Sequence, residues 1–566
     1  MLEANAGQPR FDIDKVVISG FKCIHEPLAI DILKPLNILV GDNGVGKSTI
    51  LEAIHLALTG MYRGEPIRRA LSQTLFNNAD VACFVAGSSD GHGLKLPRIC
   101  IEVFLNGGGR EEELLSGAVN SERQKCCGFT FTVEFDEDYR EELEALPDGC
   151  LNSVPIEYYD FKWTTFADAP ITPRKIPVRS VMINPAGDWQ GNRADERATR
   201  TFIDGLGERQ QMALAQDARI AIDAWNAKDS LSKANAALPS IGIEGMGSVD
   251  IVADRGTSES WKRNIVVRLE EIPYGHIGAG SQSMMQAGIA LGKSRPEKTT
   301  LLLFEEPENH LSHVNLNKLV KLLSDGAIDR KIIVTTHSSY VANVLGLENL
   351  QMIGNEIGHA ACAPITSLPK DTFDFFRKLP GYDTLRLVLA RCAVLVEGPS
   401  DELIVQLAYR KKHAGRLPIE DGIDVISVGS GFLRFLELAS AIRKRVLVLT
   451  DNDGNPESLK AKYCDYSGLE FVKISYVEEI RPANDPNNVD PERKINWNTL
   501  EAEMLEANGF GNMKKLLGRE DDCEARLLKH MEGNKTDTAL TLFDADSAVV
   551  IPKYIDDGLG WLDEQQ

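Results

Sequence analysis

The chain of 566 residues is too long for one hydrophobic core, so its length predicts three or four domains. Its hydrophobic content of 43% and charged content of 26% are ordinary for a globular protein, and no run approaches the roughly 18 apolar residues of a membrane span, which argues against a membrane partner. The net charge of −21 argues against a protein that coats DNA by bulk electrostatics, although an acidic enzyme can still collect basic residues in one groove.

The beginning of the chain and its cysteines favour a cytoplasmic protein. The first residues lack a basic stretch followed by an apolar one, so we expect no export signal. Ten cysteines occur without paired CxxC spacing, which favours reduced thiols over a zinc site or a disulfide framework.

Residues 11 to 60 predict a strand, a turn, a second strand, a glycine-rich loop and a helix. The loop GDNGVGKS, at 41–48, fits the phosphate-binding pattern G-x-x-x-x-G-K-[ST]. Its glycines let backbone N–H groups close around phosphates, its lysine offers a charge to the β- and γ-phosphates, and its serine hydroxyl can bind Mg²⁺. The residues predicted to bind ATP here are Asn43, Gly44, Gly46, Lys47, Ser48 and Thr49.

The middle of the chain alternates between strand and helix patterns. In the helix after the loop, we expect Ile50, Ile54 and Ala57/Leu58 to share a buried face. Residues 98–105 and 128–135 predict antiparallel strands. Residues 195–238 predict a helical insertion, equally compatible with a dimerisation arm and with a solvated helical hairpin. Strand patterns return at 249–272.

A second apolar strand, TLLLFEEP at 300–307, ends in two carboxylates. A buried strand can deliver an acid to a metal at its C-terminal end. Glu305 is predicted to hold Mg²⁺, and Glu306 to orient the attacking water. The strand KIIVTTHS ends near His337, which could contact the γ-phosphate, although a histidine there is by itself more typical of an ordinary loop.

These blocks, about 11–110 and 245–350, resemble the ABC-type ATPases of the SMC and RecF kind. By that resemblance Lys47 and Ser48 match the Walker A residues, Glu305 and Glu306 the Walker B pair, and His337 the switch histidine. The family clamps ATP between two heads, which implies a homo-oligomer. GAGSQ at 278–282 is the best match to the signature loop, with Gly280 as the nucleotide-contacting residue; a glycine replaces the usual serine.

From Cys392 onward an alternating strand and helix pattern predicts a separate α/β domain. Glu397 ends one buried strand, and Asp451 and Asp453 form a D-x-D at the end of another. Right-handed crossovers make such strands parallel, so these acids are expected at one edge of the sheet. Converging carboxylates repel unless a cation neutralises them, and oxygen ligands suit Mg²⁺ or Mn²⁺.

This domain resembles the Toprim fold of topoisomerases, primases and OLD-family nucleases. Glu397 matches the family's glutamate, Asp451 and Asp453 its D-x-D, and Asp401 its second acid in VEGPSDE. Glu501, favoured over Glu503, and Lys535 match a later metal-binding acid and a lysine that stabilises the transition state.

An ABC-type head followed by Toprim is the OLD arrangement, which includes the nuclease subunit of the Gabija anti-phage system. The resemblance therefore implies DNA as substrate, a dimer or tetramer, a role in phage defence, and either independent action or a UvrD-like helicase partner.

Basic residues stand out near the predicted metal site and leave two alternatives open. They could hold DNA phosphates, or they could be solvated helix ends. They are Arg410, Lys411, Lys412, Arg416, Arg443, Lys444 and Arg445.

The predicted fold class is α/β: an ABC-type ATPase head with a helical insertion, followed by a Rossmann-like Toprim domain with a parallel sheet. The predicted ranges are 1–190 and 246–368 for the ATPase head, 191–245 for the insertion, 369–391 for a helical connector and 392–566 for Toprim.

The predicted function is an ATP-regulated, metal-dependent DNA endonuclease or nickase. The alternative is an SMC- or RecF-like repair ATPase whose Toprim domain binds DNA without cutting; it would not need the D-x-D acids. Topoisomerase or primase action would need a partner domain for which the sequence has no signal.

Overall fold

The computed structural model describes most of the chain. The described residues are 11–32, 34–90, 96–108, 110–145, 152–184, 199, 202–203, 206, 208–237, 250–254, 256, 260–291, 299–327, 330–356, 359–365, 368–481, 496–545 and 548–564. They form two compact units. The first unit comprises Met1–Thr336 and Gln351–Ala363, and the second comprises His337–Leu350 and Pro364–Gln566. Over these ranges, no helix is both long and apolar enough to cross a membrane.

The strands of both units are numbered in chain order. They are β1 (Asp12–Ser19), β2 (Leu28–Asp31), β3 (Leu36–Val40), β4 (Met61–Tyr62), β5 (Glu65–Pro66), β6 (Ile99–Asn106), β7 (Ser116–Gly117), β8 (Cys126–Phe135), β9 (Tyr159–Thr165), β10 (Val178–Ile183), β11 (Arg268–Leu269), β12 (Ile272–Pro273), β13 (Thr299–Glu305), β14 (Ile332–Thr335), β15 (Leu350–Glu356), β16 (His359–Pro364), β17 (Cys392–Val396), β18 (Ile423–Ser427), β19 (Arg445–Leu449) and β20 (Val472–Ser475).

The α-helices are numbered in the same way. They are α1 (Lys47–Thr59), α2 (Ile67–Ala70), α3 (Asn78–Asp90), α4 (Arg110–Leu115), α5 (Arg140–Glu144), α6 (Glu208–Asn226), α7 (Asp229–Ala236), α8 (Ala279–Leu291), α9 (His313–Gly326), α10 (Ser339–Leu345), α11 (Lys370–Lys378), α12 (Thr384–Leu389), α13 (Pro399–Lys412), α14 (Phe432–Ala441), α15 (Pro456–Lys462), α16 (Leu500–Asn508), α17 (Phe510–Leu516), α18 (Glu524–Gly533), α19 (Lys535–Ala545) and α20 (Lys553–Asp563).

Two sheets build the first unit. One is antiparallel, in the order β2-β1-β6-β8-β7 with β9 also paired to β8. The register Ile99↔Val133 confirms the predicted antiparallel pair at 98–105 and 128–135. The other sheet has the order β10-β13-β14-β3-β15-β16, and its β10, β13, β14 and β3 are parallel neighbours.

Helix α1 contacts strands of both sheets and is buried on all sides. The predicted face of Ile50, Ile54, Ala57 and Leu58 is buried, but so are Leu51 and Leu56. A helix covered on two sides needs apolar residues all round, which a one-sided periodicity does not predict. The glycine loop leads directly into α1, so the main core of this unit holds the loop in place through that helix.

Two segments depart from or refine the sequence predictions. The strand pattern at 249–272 is largely wrong, because its described part contains only the two-residue strands β11 and β12 and a 3-10 turn at Ser260–Asn264. Within the predicted insertion lie α6 and α7, whose side chains of Met212, Ile220 and Trp225 are exposed.

The second unit contains a parallel four-stranded sheet in the order β18-β17-β19-β20. Strands β17 and β19 are neighbours, with Cys392 opposite Arg445. All five residues of β17 are buried, as expected for a central strand of a parallel sheet covered on both faces. The C-terminal ends of these strands lie along one edge. We call the carboxylates that interact at this edge, those of Glu397, Asp401, Asp451 and Glu501, the acidic rim.

Several of the basic residues near this sheet hold the C-terminal helices. Arg410 donates to the Phe543 carbonyl at 2.6 Å and lies 4.0 Å from the centre of the Phe543 ring. Arg445 donates to the Trp561 carbonyl at 2.8 Å and lies 4.6 Å from the centre of its ring. Lys411 donates to the Val549 carbonyl. These cations are neither free for DNA nor simply solvated, because each is used to pack its own domain.

Candidate functional sites

The glycine loop of the first unit has the backbone that its pattern predicts. Gly44 and Gly46 have φ values of +83° and +106°, a left-handed conformation that favours glycine. Lys47 is 6% exposed, and its Nζ donates to the carbonyls of Gly41 and Asp42 at 2.8 Å each. Burial lowers the pKa of Lys47, while the nearby Glu306 carboxylate acts in the opposite direction. Such a lysine is held at the loop, ready to exchange carbonyls for phosphate oxygens.

The structure brings Ser48 and Glu305 together, although they are distant in sequence. Their side chains are hydrogen-bonded. Burial, with the charges of Glu52 and Glu306, raises the pKa of Glu305 despite that hydrogen bond. Asn184, a residue that sequence reasoning missed, donates a hydrogen bond to the same carboxylate. A hydroxyl at the end of a phosphate loop and a carboxylate hydrogen-bonded to it are the oxygen ligands that fit Mg²⁺ of a nucleotide.

Glu306 follows β13 in a left-handed backbone conformation with φ +43°. Its N–H donates to the Thr335 carbonyl at 2.9 Å, and its carboxylate accepts from Asn309 Nδ2 at 2.8 Å. The Thr336 hydroxyl donates to Glu308 at 2.7 Å. These hydrogen bonds hold Glu306 at the end of β13, and its predicted role in orienting the attacking water stays a prediction.

A further acid at this site, Glu52, was missed by the sequence analysis. It is 7% exposed, accepts from Arg63 Nε at 2.8 Å, and also accepts from Lys22. Its charge contributes to the raised pKa of Glu305. Glu52 could have been predicted from its position four residues after Ser48, because that spacing places both side chains on one face of α1.

The remaining nucleotide-binding predictions have different surroundings. Asn43 is exposed on the loop, whereas Thr49 is buried and accepts from Cys23 Sγ at 3.4 Å. Gly280 lies in the first turn of α8, where an added Cβ would meet the His310 carbonyl at 2.5 Å. His337 belongs to the second unit. The signature role of Gly280 and the switch role of His337 stay predictions.

At the acidic rim of the second unit, Glu397 directly follows β17 and Asp451 follows β19. Burial and the charges of Asp401, Glu501 and Glu397 raise the pKa of Asp451 to about 8. Burial and the charges of Glu501 and Glu397 raise the pKa of Asp401 to about 6. Four predicted acids are therefore close enough for their charges to interact, although they come from three separate stretches of the chain. They are Glu397, Asp401, Asp451 and Glu501.

Lys535 is next to this group. Its Nζ lies 3.5 Å from a carboxylate oxygen of Glu501, which is 5% exposed. Burial alone would lower the pKa of Lys535, but the carboxylates of Glu501 and Asp451 raise it overall. The alternative acid, Glu503, instead pairs with Arg481 at 3.0 Å. The geometry thus favours Glu501 over Glu503 as the rim acid.

Asp453 has different neighbours. It is exposed, has φ +47°, and accepts from Asn496 Nδ2 at 3.1 Å. The main carboxylates that raise the pKa of Asp451 are Asp401, Glu501 and Glu397, and Asp453 is not one of them. The two acids of the D-x-D therefore face different surroundings, because the backbone turns between them and Asp453 has a left-handed conformation.

The side chains of the rim are of the chemical type that binds a hard divalent cation such as Mg²⁺ or Mn²⁺. They contribute carboxylate oxygens with excess negative charge, and the cation Lys535 contacts only one of them. Among the described residues, however, no group of three or more His, Cys, Asp or Glu side chains is close enough to hold an ion as placed. The rim side chains would have to change rotamer to surround an ion.

Three family models match parts of the chain. A model described as an AAA domain matches residues 15–142, and a second AAA domain model, described with the AbiEii toxin of a Type IV TA system, matches 183–343. The Toprim domain model of proteins like the overcoming lysogenization defect protein matches 388–453. The chain thus combines AAA-type ATPase domains with an OLD-like Toprim domain, and the predicted α/β fold class is confirmed.

Solved structures similar to this chain include the SMC head domain from Thermotoga maritima, at 12% identity over 63% of this chain and 99% of that chain, with a TM-score of 0.29. The Smc head domain from Pyrococcus furiosus, bound to the C-terminal domain of ScpA, is 13% identical over 66% and 100%, with a TM-score of 0.32. The recombination mediator protein RecF is 11% identical over 63% and 100%, with a TM-score of 0.29. TM-scores this low carry no argument about the fold, so the fold assignment depends on the strand order of the sheets. No curated protein matches the chain in sequence.

Proposed function

We propose that this protein is an ATP-regulated, divalent-metal-dependent DNA endonuclease or nickase. The observation that carries the proposal is the cluster of Glu397, Asp401, Asp451 and Glu501 at one edge of the parallel sheet, where burial and then the neighbouring carboxylates raise the pKa of Asp451 to about 8. Buried like charges are costly, and proteins retain them mainly where they serve a function. A Toprim-type edge with an adjoining ATPase supports phosphodiester hydrolysis as that function.

Each residue of the rim has a role in this proposal. Glu397, Asp401, Asp451 and Glu501 would hold one or two Mg²⁺ or Mn²⁺ ions, and Asp453, on the exposed side of the turn, would join them from the solvent side. A divalent cation supplies an activated water and stabilises the leaving oxygen of a phosphodiester. Lys535 would contact a non-bridging phosphate oxygen; its side chain is nearly half exposed while it pairs with Glu501, which supports this role.

The first unit supplies the regulation. Lys47 and the loop N–H groups would bind the phosphates of ATP, Ser48 and Glu305 would hold its Mg²⁺, and Glu306 would orient the hydrolytic water. Gly280 and His337 would sense the γ-phosphate, Gly280 from the second copy of a dimer. ATP occupancy would then permit or restrain cutting.

Cleavage of supercoiled plasmid with Mg²⁺ or Mn²⁺ tests the nuclease. We expect Glu397→Ala to reduce cleavage by at least about a hundredfold, the order of loss for removing a group from a metal-assisted site. The matched control is Glu457→Ala, which removes an exposed carboxylate from α15, close after the D-x-D in sequence. Equal cleavage by wild type and Glu397→Ala would refute the assigned centre.

Finer aspects of the proposal rest on the OLD resemblance. They are a dimer or tetramer, a UvrD-like helicase partner and a role in phage defence. Sedimentation of the full chain with and without ATP tests the first. Co-purification with the product of a neighbouring helicase gene tests the second, and plaque counts on cells that carry wild type or Glu397→Ala test the third.

A further inference from the structure

The middle residue of the D-x-D is bound to the chain segment that follows β20. Asn452 is 4% exposed, and its Nδ2 donates to the carbonyls of Val477 at 2.6 Å and Glu479 at 3.0 Å. Its Oδ1 accepts from the Gly454 N–H at 2.8 Å. One buried amide therefore closes the D-x-D turn and holds the segment 477–481 against it.

The same segment is bound on its other side to the start of α16. Asn498 is 7% exposed; its Oδ1 accepts from the Arg481 N–H at 2.9 Å, and its Nδ2 donates to the Arg481 carbonyl at 3.1 Å. The Arg481 guanidinium pairs with Glu503, two residues beyond Glu501 on α16. A continuous set of hydrogen bonds thus connects the turn that carries Asp451 with the helix that carries Glu501.

The space between these groups is small and polar. A cavity of about 10 Å³ is lined by Asp451, Asn452, Asn498, Glu503 and Tyr554, among others. That volume suits one water molecule with several polar partners. The contacts behind Asp451 are therefore hydrogen-bonding groups and not loose apolar packing, which is the environment that orients a metal-binding carboxylate.

We infer that Asn452 and Asn498 are positioning residues that hold Asp451 and Glu501 at a fixed separation through the segment 477–481. The inference rests on the proposed function, because it assigns a task to the same acidic rim. Asp451 and Glu501 come from different elements and repel each other, so without a cation some other contact must hold them together. The Leu500 N–H, at the start of α16, interacts directly with the Asp451 carboxylate, and the two amides support this contact through backbone carbonyls and N–H groups, which do not change their charge.

Metal affinity is the quantity that this role should change. Groups that orient metal ligands typically contribute about 10- to 100-fold to affinity. We therefore expect Asn452→Ala and Asn498→Ala each to weaken Mn²⁺ binding at the rim by about tenfold or more. Saturating Mn²⁺ should restore most of the plasmid cleavage, since the ligands themselves are intact.

The matched control is Asn508→Ala at the other end of α16. Asn508 Nδ2 donates to the Val550 carbonyl at 2.8 Å, and its Oδ1 accepts from the Val550 N–H at 2.7 Å. It therefore makes the same pair of hydrogen bonds as Asn498, but to a segment that carries no rim acid. A purely structural role for all three amides would make the three variants equivalent.

The experiment is calorimetric titration of the full chain with Mn²⁺ in the absence of nucleotide, with thermal unfolding of each variant measured alongside. The binding event lost in Glu397→Ala identifies the rim. The inference is supported if Asn452→Ala or Asn498→Ala loses about tenfold in Mn²⁺ affinity while Asn508→Ala stays within about twofold of wild type. It is overturned if both rim variants bind Mn²⁺ like wild type, or if Asn508→Ala loses as much.

The outcome is separable from that of the nuclease proposal. Wild-type protein that binds Mn²⁺ at the rim but never cuts DNA would refute the nuclease and leave the positioning role standing. Cleavage that depends on Glu397, combined with unchanged Mn²⁺ affinity in both asparagine variants, would support the nuclease and refute the positioning role.

Discussion

The Nζ of Lys535 lies 3.5 Å from a carboxylate oxygen of Glu501, and this pair joins the start of α19 to the first turn of α16. Glu501 is nearly inaccessible, whereas the lysine is 47% exposed. The lysine therefore partly compensates a buried charge and also presents its remaining N–H donors to solvent, where a phosphate would bind.

Replacing Lys535 separates catalysis from stability. We expect Lys535→Ala to reduce plasmid cleavage by about a hundredfold, the order of loss for removing one donor to a developing charge. Its unfolding temperature should fall modestly, because the variant leaves the buried Glu501 carboxylate without its cation, although solvent screens the half-exposed lysine. Rates and thermal unfolding of both proteins check this. Lys529→Ala, an exposed lysine on α18, is the control, and an equal loss of cleavage there would contradict the assignment.

Lys47→Ala should impair nucleotide binding. A charge-assisted hydrogen bond contributes about 1.5–3 kcal/mol, so its loss should weaken ATP affinity by about 10- to 100-fold. Titration with a fluorescent ATP analogue measures the change, and Lys318→Ala, an exposed residue of α9, provides the comparison. Unchanged ATP binding by Lys47→Ala would exclude the loop as the phosphate site.

His55 should make the first unit sensitive to acid. Burial lowers the pKa of His55 from 6.5 to about 4. The unfolded chain therefore takes up a proton below about pH 6.5 that the folded chain refuses until about pH 4. The free energy of unfolding should fall as pH decreases through this window, by up to about 3 kcal/mol.

Chemical denaturation between pH 7 and pH 4 measures this effect as a difference between wild type and His55→Gln. Glutamine can keep a hydrogen bond to Ser180, which lies 2.9 Å from His55 Nδ1, but does not titrate. The variant should lose part of the pH dependence, whereas His276→Gln, at an exposed position, should not. Parallel pH profiles for wild type and His55→Gln would disprove the prediction.

Arg445→Ala should destabilise the second unit instead of weakening DNA binding. Its guanidinium contacts the ring and carbonyl of Trp561, so truncation should cost about 1–3 kcal/mol of unfolding free energy. Arg443→Ala, at an exposed position two residues earlier, should be nearly neutral. Denaturation and DNA-binding curves of both variants check this, and a loss of DNA affinity with unchanged stability would contradict it.

Periodicity and motif spacing predicted two sites, the nucleotide site at the glycine loop and the acidic site at the strand ends of the last sheet, because the geometry of each motif is local. The left-handed glycines at 44 and 46, the acid that ends β13, and the acids that follow β17 and β19 are indicated by short stretches of sequence. The strand pattern at 249–272 failed because short apolar runs also occur in irregular segments, and only pairing partners distinguish the two.

The sequence by itself determined the phosphate loop, the parallel direction of the strands in the last sheet, and Glu397 and Asp451 after two of them, because each depends on neighbours within a few residues or on the handedness of strand connections; Asp401 and Glu501 came from the resemblance to Toprim proteins. The resemblance favoured Glu501 over Glu503, and the tertiary structure shows why, since Glu503 pairs with Arg481. Only the tertiary structure decided that Asp453 turns towards Asn496 and that Arg410 and Arg445 pack against their own C-terminal helices. Those outcomes depend on side-chain direction and burial between distant segments, which no local pattern encodes.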